Sequence, residues 1–270
     1  WISIVSKYNI PLAPLPEQRA IIAKIEKLFS DIDNGVANLK AAKDKLVIYR
    51  QAVLKKAFEG ELTKAWRKKH EKLSSTLELI DRINDERKMN HLENLKVWEE
   101  DLKKWEKNGR LTKKPVKPRF IELKVINNYE PNFKTPEGWS KCQLADVISD
   151  LTDYHANGSY ESLKNNVTLY DEINYAKMIR ATNFEKNDFS KDMKYIDEKA
   201  YDFLSKSKLY GGEILIGKIG NAGKVYLMPK LDTFASLAMN MFALRTCLVN
   251  SKYIYYQLSS YLPKNEIKSY

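Results

Sequence analysis

The sequence predicts an α+β protein, in which a long coiled-coil-type helix precedes a domain of mixed α/β structure. Three observations predict this fold class. Residues 17–58 repeat apolar side chains at helical spacing, and residues 61–135 are highly charged with a second helical pattern. Residues 136–270 instead contain short strand-like runs separated by polar and glycine-containing segments. A chain of 270 residues can hold one large domain or two smaller ones.

The start of the first helix is marked by the segment "PLAPLPEQRAIIAKIEKLF", residues 11–29. Pro16 fixes its own φ and disfavours helix in the residue before it, so it predicts a first-turn position. Glu17 then places a carboxylate where the positive end of the helix dipole favours one. We expect residues 1–16 to close an upstream domain and the helix to run through residues 17–60, with Gly60 at its end.

The long helix carries a heptad pattern that predicts a partner helix along one stripe. Gly35 and Ala42 are small residues in the middle of this stripe, which predicts a close approach of the partner backbone. About 42 residues at about 1.5 Å each give a helix of about 63 Å. The predicted seam contacts are Ile25, Leu28, Ile32, Leu39, Leu46, Tyr49 and Val53.

Residues 61–135 are expected to form a charged helical insertion followed by a linker that ends near Pro136. Their surplus of lysines and glutamates indicates a solvated helix face with i,i+4 pairs. The basic, proline-containing run "KNGRLTKKPVKPRF" then predicts the linker. The apolar stripe of the second helix is predicted at Leu77, Ile80, Leu95, Trp98, Leu102 and Trp105.

Residues 136–270 are predicted to form the mixed α/β domain. The runs "KYIDEKA", "EILIGKIG", "KVYLMP" and "NMFALRT" are typical of strands, and "EKAYDFLSKSKL" and "VNSKYIYYQLSSYL" are typical of helices. No closing element follows, so we expect this domain to be incomplete at its C-terminus. The first residue is not a methionine, which predicts a fragment or a processed piece.

The net charge of +11 is concentrated in the first half of the chain. Residues 1–60 carry 10 basic and 6 acidic side chains and residues 61–135 carry 19 and 13, whereas residues 136–270 are close to neutral. The excess favours an anionic partner such as nucleic acid, but the surface is not uniformly basic. Two cysteines without metal-ligand spacing predict reduced thiols and a cytoplasmic location, and no apolar run reaches a membrane span.

No pattern in the sequence predicts a catalytic or metal site. The three histidines are scattered, and no nucleophile–base arrangement has a recognisable local context. The glycines of "GKIGNAG", residues 217–223, have neither the Walker nor the dinucleotide-loop spacing, and a strand-like run follows them. A glycine-rich hairpin is therefore predicted, whose amides and lysines could contact a DNA backbone.

Three segments are candidate DNA-binding loops. Residues 152–166 are rich in Asn, Ser, Gly and Tyr, whose groups can read base edges, although a mobile loop is an equal alternative. In residues 178–189 an apolar strand is followed by polar side chains that could contact bases. The alternative is that these side chains only form salt bridges at the end of the strand. The candidates are Tyr154, His155, Asn157, Ser159, Tyr160, Lys164, Arg180, Thr182, Asn183, Lys218, Asn221 and Lys224.

The order of these segments resembles the specificity subunit of Type I restriction–modification systems. "IPLAPLPEQRAIIAKIEKLFSDID" and "RQAVLKKAFEGELTKAWRKKH" are similar to its central conserved region, where a proline-rich element leads from one target-recognition domain into a conserved spacer helix. "PEGWSKCQLADVI" resembles the start of the second target-recognition domain. "YAKMIRATNF" and "GGEILIGKIGNAGKVYLMP" resemble two segments within that domain.

The resemblance implies a non-catalytic, DNA-binding subunit in which two recognition domains read the halves of a split target. The implied partners are double-stranded DNA, modification (methyltransferase) subunits, a restriction subunit in the full complex, and a second helix from the rest of the subunit or from another fragment. S-adenosylmethionine, ATP and Mg²⁺ are implied on the partner subunits and no cofactor on this chain. Most of the first recognition domain and the second conserved helix are missing, and the insertion at about 70–130 exceeds a minimal linker. A coiled-coil adaptor without DNA-reading function is the rival interpretation.

Overall fold

The computed structural model describes residues 5–70, 74–111, 114–118, 120, 135–140, 142–220 and 222–260. The chain divides into two compact units, Trp1–Val53 and Leu54–Tyr270. Among the helices that the structure describes, none combines the length and apolarity needed to cross a bilayer.

Helix α1, Leu15–Phe58, is one continuous element of 44 residues, which corresponds to about 66 Å. Its first turn contains Pro16 and Glu17, as the sequence predicts. The side-chain amide of Gln18 also donates to the carbonyl of Ala13 at 2.7 Å, so the start of the helix is bonded to the proline-rich segment. The predicted seam residues are 36% to 73% exposed, and nothing within residues 5–53 packs over them.

The second unit contains two four-stranded sheets. The strands are β1 Ile148–Asp153, β2 Ala176–Ile179, β3 Lys194–Ile196, β4 Lys208–Leu209, β5 Ile214–Gly217, β6 Val225–Leu227, β7 Phe234–Leu237 and β8 Met241–Thr246. Sheet A has the order β1-β8-β5-β6, with all its pairs antiparallel, and sheet B has the order β3-β2-β7-β4, in which β2 and β7 are parallel. The α+β fold class is therefore confirmed.

One further long helix and several short ones complete the described part of the chain. They are α2 Lys64–Lys69, the 32-residue α3 Thr76–Lys107, α4 Leu144–Val147, α5 Tyr160–Asn166, α6 Ala181–Lys186, α7 Glu198–Phe203 and α8 Ser251–Leu258, with 3-10 turns at Glu61–Thr63, Tyr154–Asn157 and Ser205–Ser207.

Alternation along the strands produces three apolar layers. Leu215 of β5 faces a cluster shared by the two sheets, whereas its neighbour Ile214 faces a cluster with α3 and α8. In sheet B, Ile179 joins the shared cluster, and Met178 faces a third cluster that contains α7. A period of two residues thus buries both faces of each sheet.

The charged segment 61–135 is not wholly peripheral to this core. Ile80 and Ile83 of α3 are 3% and 0% exposed, and Ile83 packs with Ile148 and Ile214. Leu77, which the sequence assigns to the buried stripe, is instead 53% exposed. The stripe prediction missed Ile83, although this side chain anchors α3 to sheet A.

The candidate segment 152–166 contains regular structure, namely the end of β1, the 3-10 turn Tyr154–Asn157 and helix α5, with Gly158 and Ser159 between the last two. Asp153 caps the 3-10 turn by accepting from the amide of Ala156, and Ser159 caps α5 by accepting from the amide of Ser162. These are N-cap residues of the usual type, and they fix the backbone locally.

Candidate nucleic-acid interface

The three candidate DNA-binding segments gather at one end of the two sheets, which we call the hairpin end. The β5–β6 hairpin turns here, and the amide of Lys218 donates to the carbonyl of Asn240 at 2.9 Å, next to the start of β8. Asp153 at the end of β1 pairs with Phe242 in the β1–β8 ladder. Ile179 at the end of β2 lies beside the end of β7.

An ion pair joins the first candidate segment to the hairpin. The ammonium of Lys218 lies 2.5 Å from a carboxylate oxygen of Asp153, and the two side chains are 18% and 20% exposed. The same ammonium lies 4.8 Å from the ring centroid of Phe242. Burial raises the pKa of Asp153, but the Lys218 hydrogen bond and the Ala156 amide outweigh it and hold that pKa below its ordinary value.

A second contact joins the segment that contains Arg180 to the same hairpin. The ammonium of Lys224 donates to Glu185 in α6 at 3.1 Å, and the hydroxyl of Tyr226 donates to the same oxygen at 3.4 Å. The hydrogen bond to Glu185 is the main reason that the pKa of Lys224 is raised. The Phe184 and Tyr226 rings also stack, with centroids 4.7 Å apart.

Two candidate residues are buried and serve the fold, which corrects their assignment as DNA contacts. Tyr154 is 9% exposed and packs in the cluster with α7. Asn183 is 3% exposed, and its carbonyl oxygen accepts from the amide of Arg180 at 2.8 Å. The Asn183 amide nitrogen donates to the carbonyl of Asp188 and to the sulfur of Met193. No group of the Asn183 side chain is left to read adenine in this conformation.

Asn157 is also engaged within the domain. Its amide nitrogen donates to the hydroxyl of Ser207 at 2.9 Å, and its oxygen accepts from the backbone amide of Lys206 at 2.9 Å. These bonds join the 3-10 turn at Tyr154–Asn157 to the turn that precedes β4. Asn157 therefore positions the first candidate segment and corrects the expectation of a base-reading amide.

Other candidates are accessible. Tyr160 is 76% exposed, the His155 side chain is 48% exposed, and Lys164 and Thr182 are exposed. Arg180 is half-buried and donates to the backbone carbonyl of Asp192. The remaining candidates are Ser159, which is exposed and caps α5, Lys218 and Lys224, which are paired as above, and Asn221, which lies outside the described residues.

The carboxylates that hold the hairpin were missed at the sequence level. Lys218 lies 65 positions from Asp153, and Lys224 lies 39 positions from Glu185. No spacing rule connects residues so far apart, and only the fold brings them together. Ile219, at the hairpin turn, was also missed, although its side chain is 71% exposed between the two lysines.

Within the described residues, no three His, Cys, Asp or Glu side chains come together in a way that would hold a metal ion. The arrangement at the hairpin end instead offers hydrogen-bonding groups, cations and exposed rings. These groups suit contacts with bases and phosphates.

No protein-family model matches the chain. Its sequence is 34% identical over 87 residues to the Type I restriction enzyme EcoDI specificity subunit of Escherichia coli, which covers 31% of this chain and 20% of that protein. It is 41% identical over 59 residues to the EcoKI specificity subunit of Escherichia coli K12, and this match covers 22% of this chain and 13% of that protein. The StySPI specificity subunit of Salmonella potsdam is 35% identical over 80 residues, which covers 28% and 17%.

The matched segment thus spans a fifth or less of the length of each of these relatives. The identities nevertheless agree in pointing to one kind of protein. The resemblance inferred from the sequence motifs is confirmed over the matched part of the chain, which is similar in sequence to specificity subunits of Type I restriction enzymes.

Proposed function

We propose that this chain is a sequence-specific DNA-recognition subunit that performs no catalysis itself. In this function it positions modification and restriction subunits on a bipartite target in double-stranded DNA. Residues 136–270 contact one half of the target through the hairpin end. S-adenosylmethionine, ATP and Mg²⁺ belong to the partner subunits, and the complex acts in the cytoplasm.

The observation that carries this proposal is the convergence of three candidate segments at one end of two sheets. The Lys218–Asp153 and Lys224–Glu185 pairs fix these segments relative to one another. Base reading requires donors and acceptors held in a fixed register, because each good contact discriminates by about 1–3 kcal/mol only when its geometry is correct. Accessible His155, Tyr160, Lys164 and Thr182 supply such groups on rigid supports.

Helix α1 supports the second part of the proposal, that the chain sets a distance between half-sites. Its exposed apolar stripe requires a second helix, which the rest of the subunit or another fragment supplies. A length of about 66 Å is close to two turns of B-DNA, at about 34–36 Å each. The seam contacts of α1 then keep the two half-sites in register.

Co-expression with the cognate modification subunit tests the proposal. We expect the two proteins to co-purify, and we expect single-molecule sequencing of host DNA to reveal a split methylated motif that depends on this chain. The absence of any motif that depends on the chain, in cells where the complex assembles, would contradict the proposal.

Substitution Arg180→Ala separates DNA reading from an adaptor role. We expect methylation of the motif to fall about 5- to 150-fold with assembly intact, because a bidentate base contact contributes about 1–3 kcal/mol. Arg82→Ala is the matched control, since Arg82 is exposed on α3 and belongs to none of the candidate loops. Loss of co-purification with Arg180→Ala would favour the adaptor instead.

A further inference from the structure

We propose that Asp153 and Glu185 restrain the two hairpin lysines and thereby weaken binding to non-target DNA. This inference rests on the proposed function, since it concerns how the same hairpin end discriminates among DNA sequences. In this account the carboxylates are positioning residues that act through Lys218 and Lys224.

The Asp153–Lys218 pair carries the inference. Its two side chains are only 18% and 20% exposed, and the atoms of the pair are 2.5 Å apart. The lysine backbone is fixed as well, because its amide donates to the carbonyl of Asn240. With Phe242 beneath its ammonium, Lys218 cannot reach a phosphate without leaving a mostly buried carboxylate unpaired.

The Glu185–Lys224 pair also holds a hairpin lysine away from DNA phosphates, but more weakly. Its lysine and glutamate side chains are 51% and 33% exposed, so water screens their attraction and a phosphate can displace the carboxylate more readily. A graded effect follows, in which removal of the Asp153 charge matters more than removal of the Glu185 charge.

The negative charge of Asp153 is not required for its local structural role. Asp153 accepts a hydrogen bond from the amide of Ala156 at 2.8 Å and so caps the 3-10 turn. Asparagine caps as well as aspartate does, because its carbonyl oxygen accepts the same bond. The carboxylate charge therefore serves to pair with Lys218. The Nδ1 atom of His155 lies 4.0 Å from the same carboxylate oxygen.

Counterion release gives the expected size of the effect. Each phosphate contact contributes about −0.9 to the slope of log K against log salt, which corresponds to about eightfold in affinity at 0.1 M salt relative to 1 M. A lysine held by a carboxylate does not make this contribution on non-target DNA. Since competing sites are so numerous in a genome, lower non-target affinity raises the effective specificity.

The experiment measures fluorescence anisotropy of a labelled duplex of arbitrary sequence with the 270-residue chain, between about 0.05 and 0.2 M salt. The variants are Asp153→Asn and Glu185→Gln. Asp202→Asn is the control, because it also removes one negative charge from an ion pair, that with Lys208 at 2.9 Å, and neither residue is a candidate DNA contact. Circular dichroism melting establishes that each variant is folded.

We expect Asp153→Asn to bind the arbitrary duplex about eightfold more tightly at 0.1 M salt, with a slope steeper by about 0.9. The affinity of Glu185→Gln for the same duplex should rise about twofold, and that of Asp202→Asn should not change, since Lys208 is not one of the candidate DNA contacts. Adding Lys218→Met to Asp153→Asn should abolish the gain, which a purely structural role of Asp153 would not produce.

Unchanged or weaker binding by both hairpin variants, with the wild-type chain still binding DNA, overturns the inference and leaves the proposed function standing. If Asp153→Asn does not fold, the result with Glu185→Gln decides. Failure of every form, wild type included, to bind any duplex at the lowest salt, both alone and in complex with the modification subunit, overturns the proposed function itself.

Discussion

At the scale of single residues, the polar side chains near the hairpin end divide into those that hold the loops and those that remain accessible. Asn157 and Asn183 use their amide groups within the domain, whereas Tyr160 and Lys164 face solvent. All four are polar residues, and the sequence alone does not distinguish the two that are engaged within the domain from the two that are accessible. Burial decides their roles, because a buried amide without partners would cost about 1–3 kcal/mol.

Asn183→Ala is therefore expected to act on stability. The substitution leaves the amide of Arg180 and the carbonyl of Asp188 without their partner, which should lower the free energy of unfolding by about 1–3 kcal/mol. Denaturant unfolding measures this change. Thr182→Ala, at an exposed neighbour, should stay within about 0.5 kcal/mol of wild type. Equal stability of the two variants would contradict the structural role of Asn183.

Asp188 should titrate at an unusually low pH. Hydrogen bonds from the hydroxyl and amide of Ser190 and the amide of Lys191 lower its pKa from 3.8 to about 2. This stabilisation of the folded loop is complete above pH 3.8 and is lost as pH falls through about 2. Carboxyl NMR titration should place the midpoint there, and Ser190→Ala should raise it. A midpoint near 3.8 in the wild type would refute these bonds.

At the scale of elements, the extent to which the sequence predicts the structure depends on the length of each pattern. Helix α1 was predicted to within two residues at its start because Pro16 and Glu17 mark its first turn, and its heptad pattern then recurs from Ile25 to Val53. Strands β1 and β7 were missed because their apolar patterns are weak: β1 buries only Ile148 and Thr152, and β7 buries Ser236 and exposes Phe234. The contact between α3 and sheet A was also missed, since Leu79, Ile83 and Arg87 make it and none of them belongs to the predicted stripe.

Gly35 provides a test of helix pairing. A Cβ added at this position meets nothing within 4 Å in the chain, yet glycine costs a helix interior about 1 kcal/mol relative to alanine. If a partner helix approaches closely there, Gly35→Leu should weaken the association of α1 with its partner at least tenfold. Ala37→Leu is the control, because position 37 lies outside the heptad seam.

Analytical ultracentrifugation of the assembled complex measures this association, and circular dichroism verifies that α1 remains helical. Equal assembly by the Gly35→Leu and Ala37→Leu variants would contradict close packing at the centre of the seam.

For the unit as a whole, we propose that the hairpin end of the two sheets faces DNA and that the opposite end does not. The candidate loops could be predicted from composition, but not their convergence, because pairs such as Lys218 and Asp153 meet only through the topology of the sheets. At the opposite end, Tyr210 is 66% exposed beside an open cavity of about 380 Å³ that Phe234 and Lys230 also line. Exposed aromatic and cationic groups therefore occur at both ends of the sheets, so composition alone does not indicate which end contacts DNA.

Site-specific photocrosslinking tests this choice directly. A photoreactive phenylalanine would replace Tyr160, near the hairpin end, or Tyr210, at the opposite end, in the complex assembled with the modification subunit on its methylated target. The two tyrosines are 76% and 66% exposed, so the photoreactive side chains at the two positions are similarly accessible. We expect position 160 to crosslink to the DNA and position 210 not to. Crosslinking from position 210 alone would contradict DNA recognition by the hairpin end.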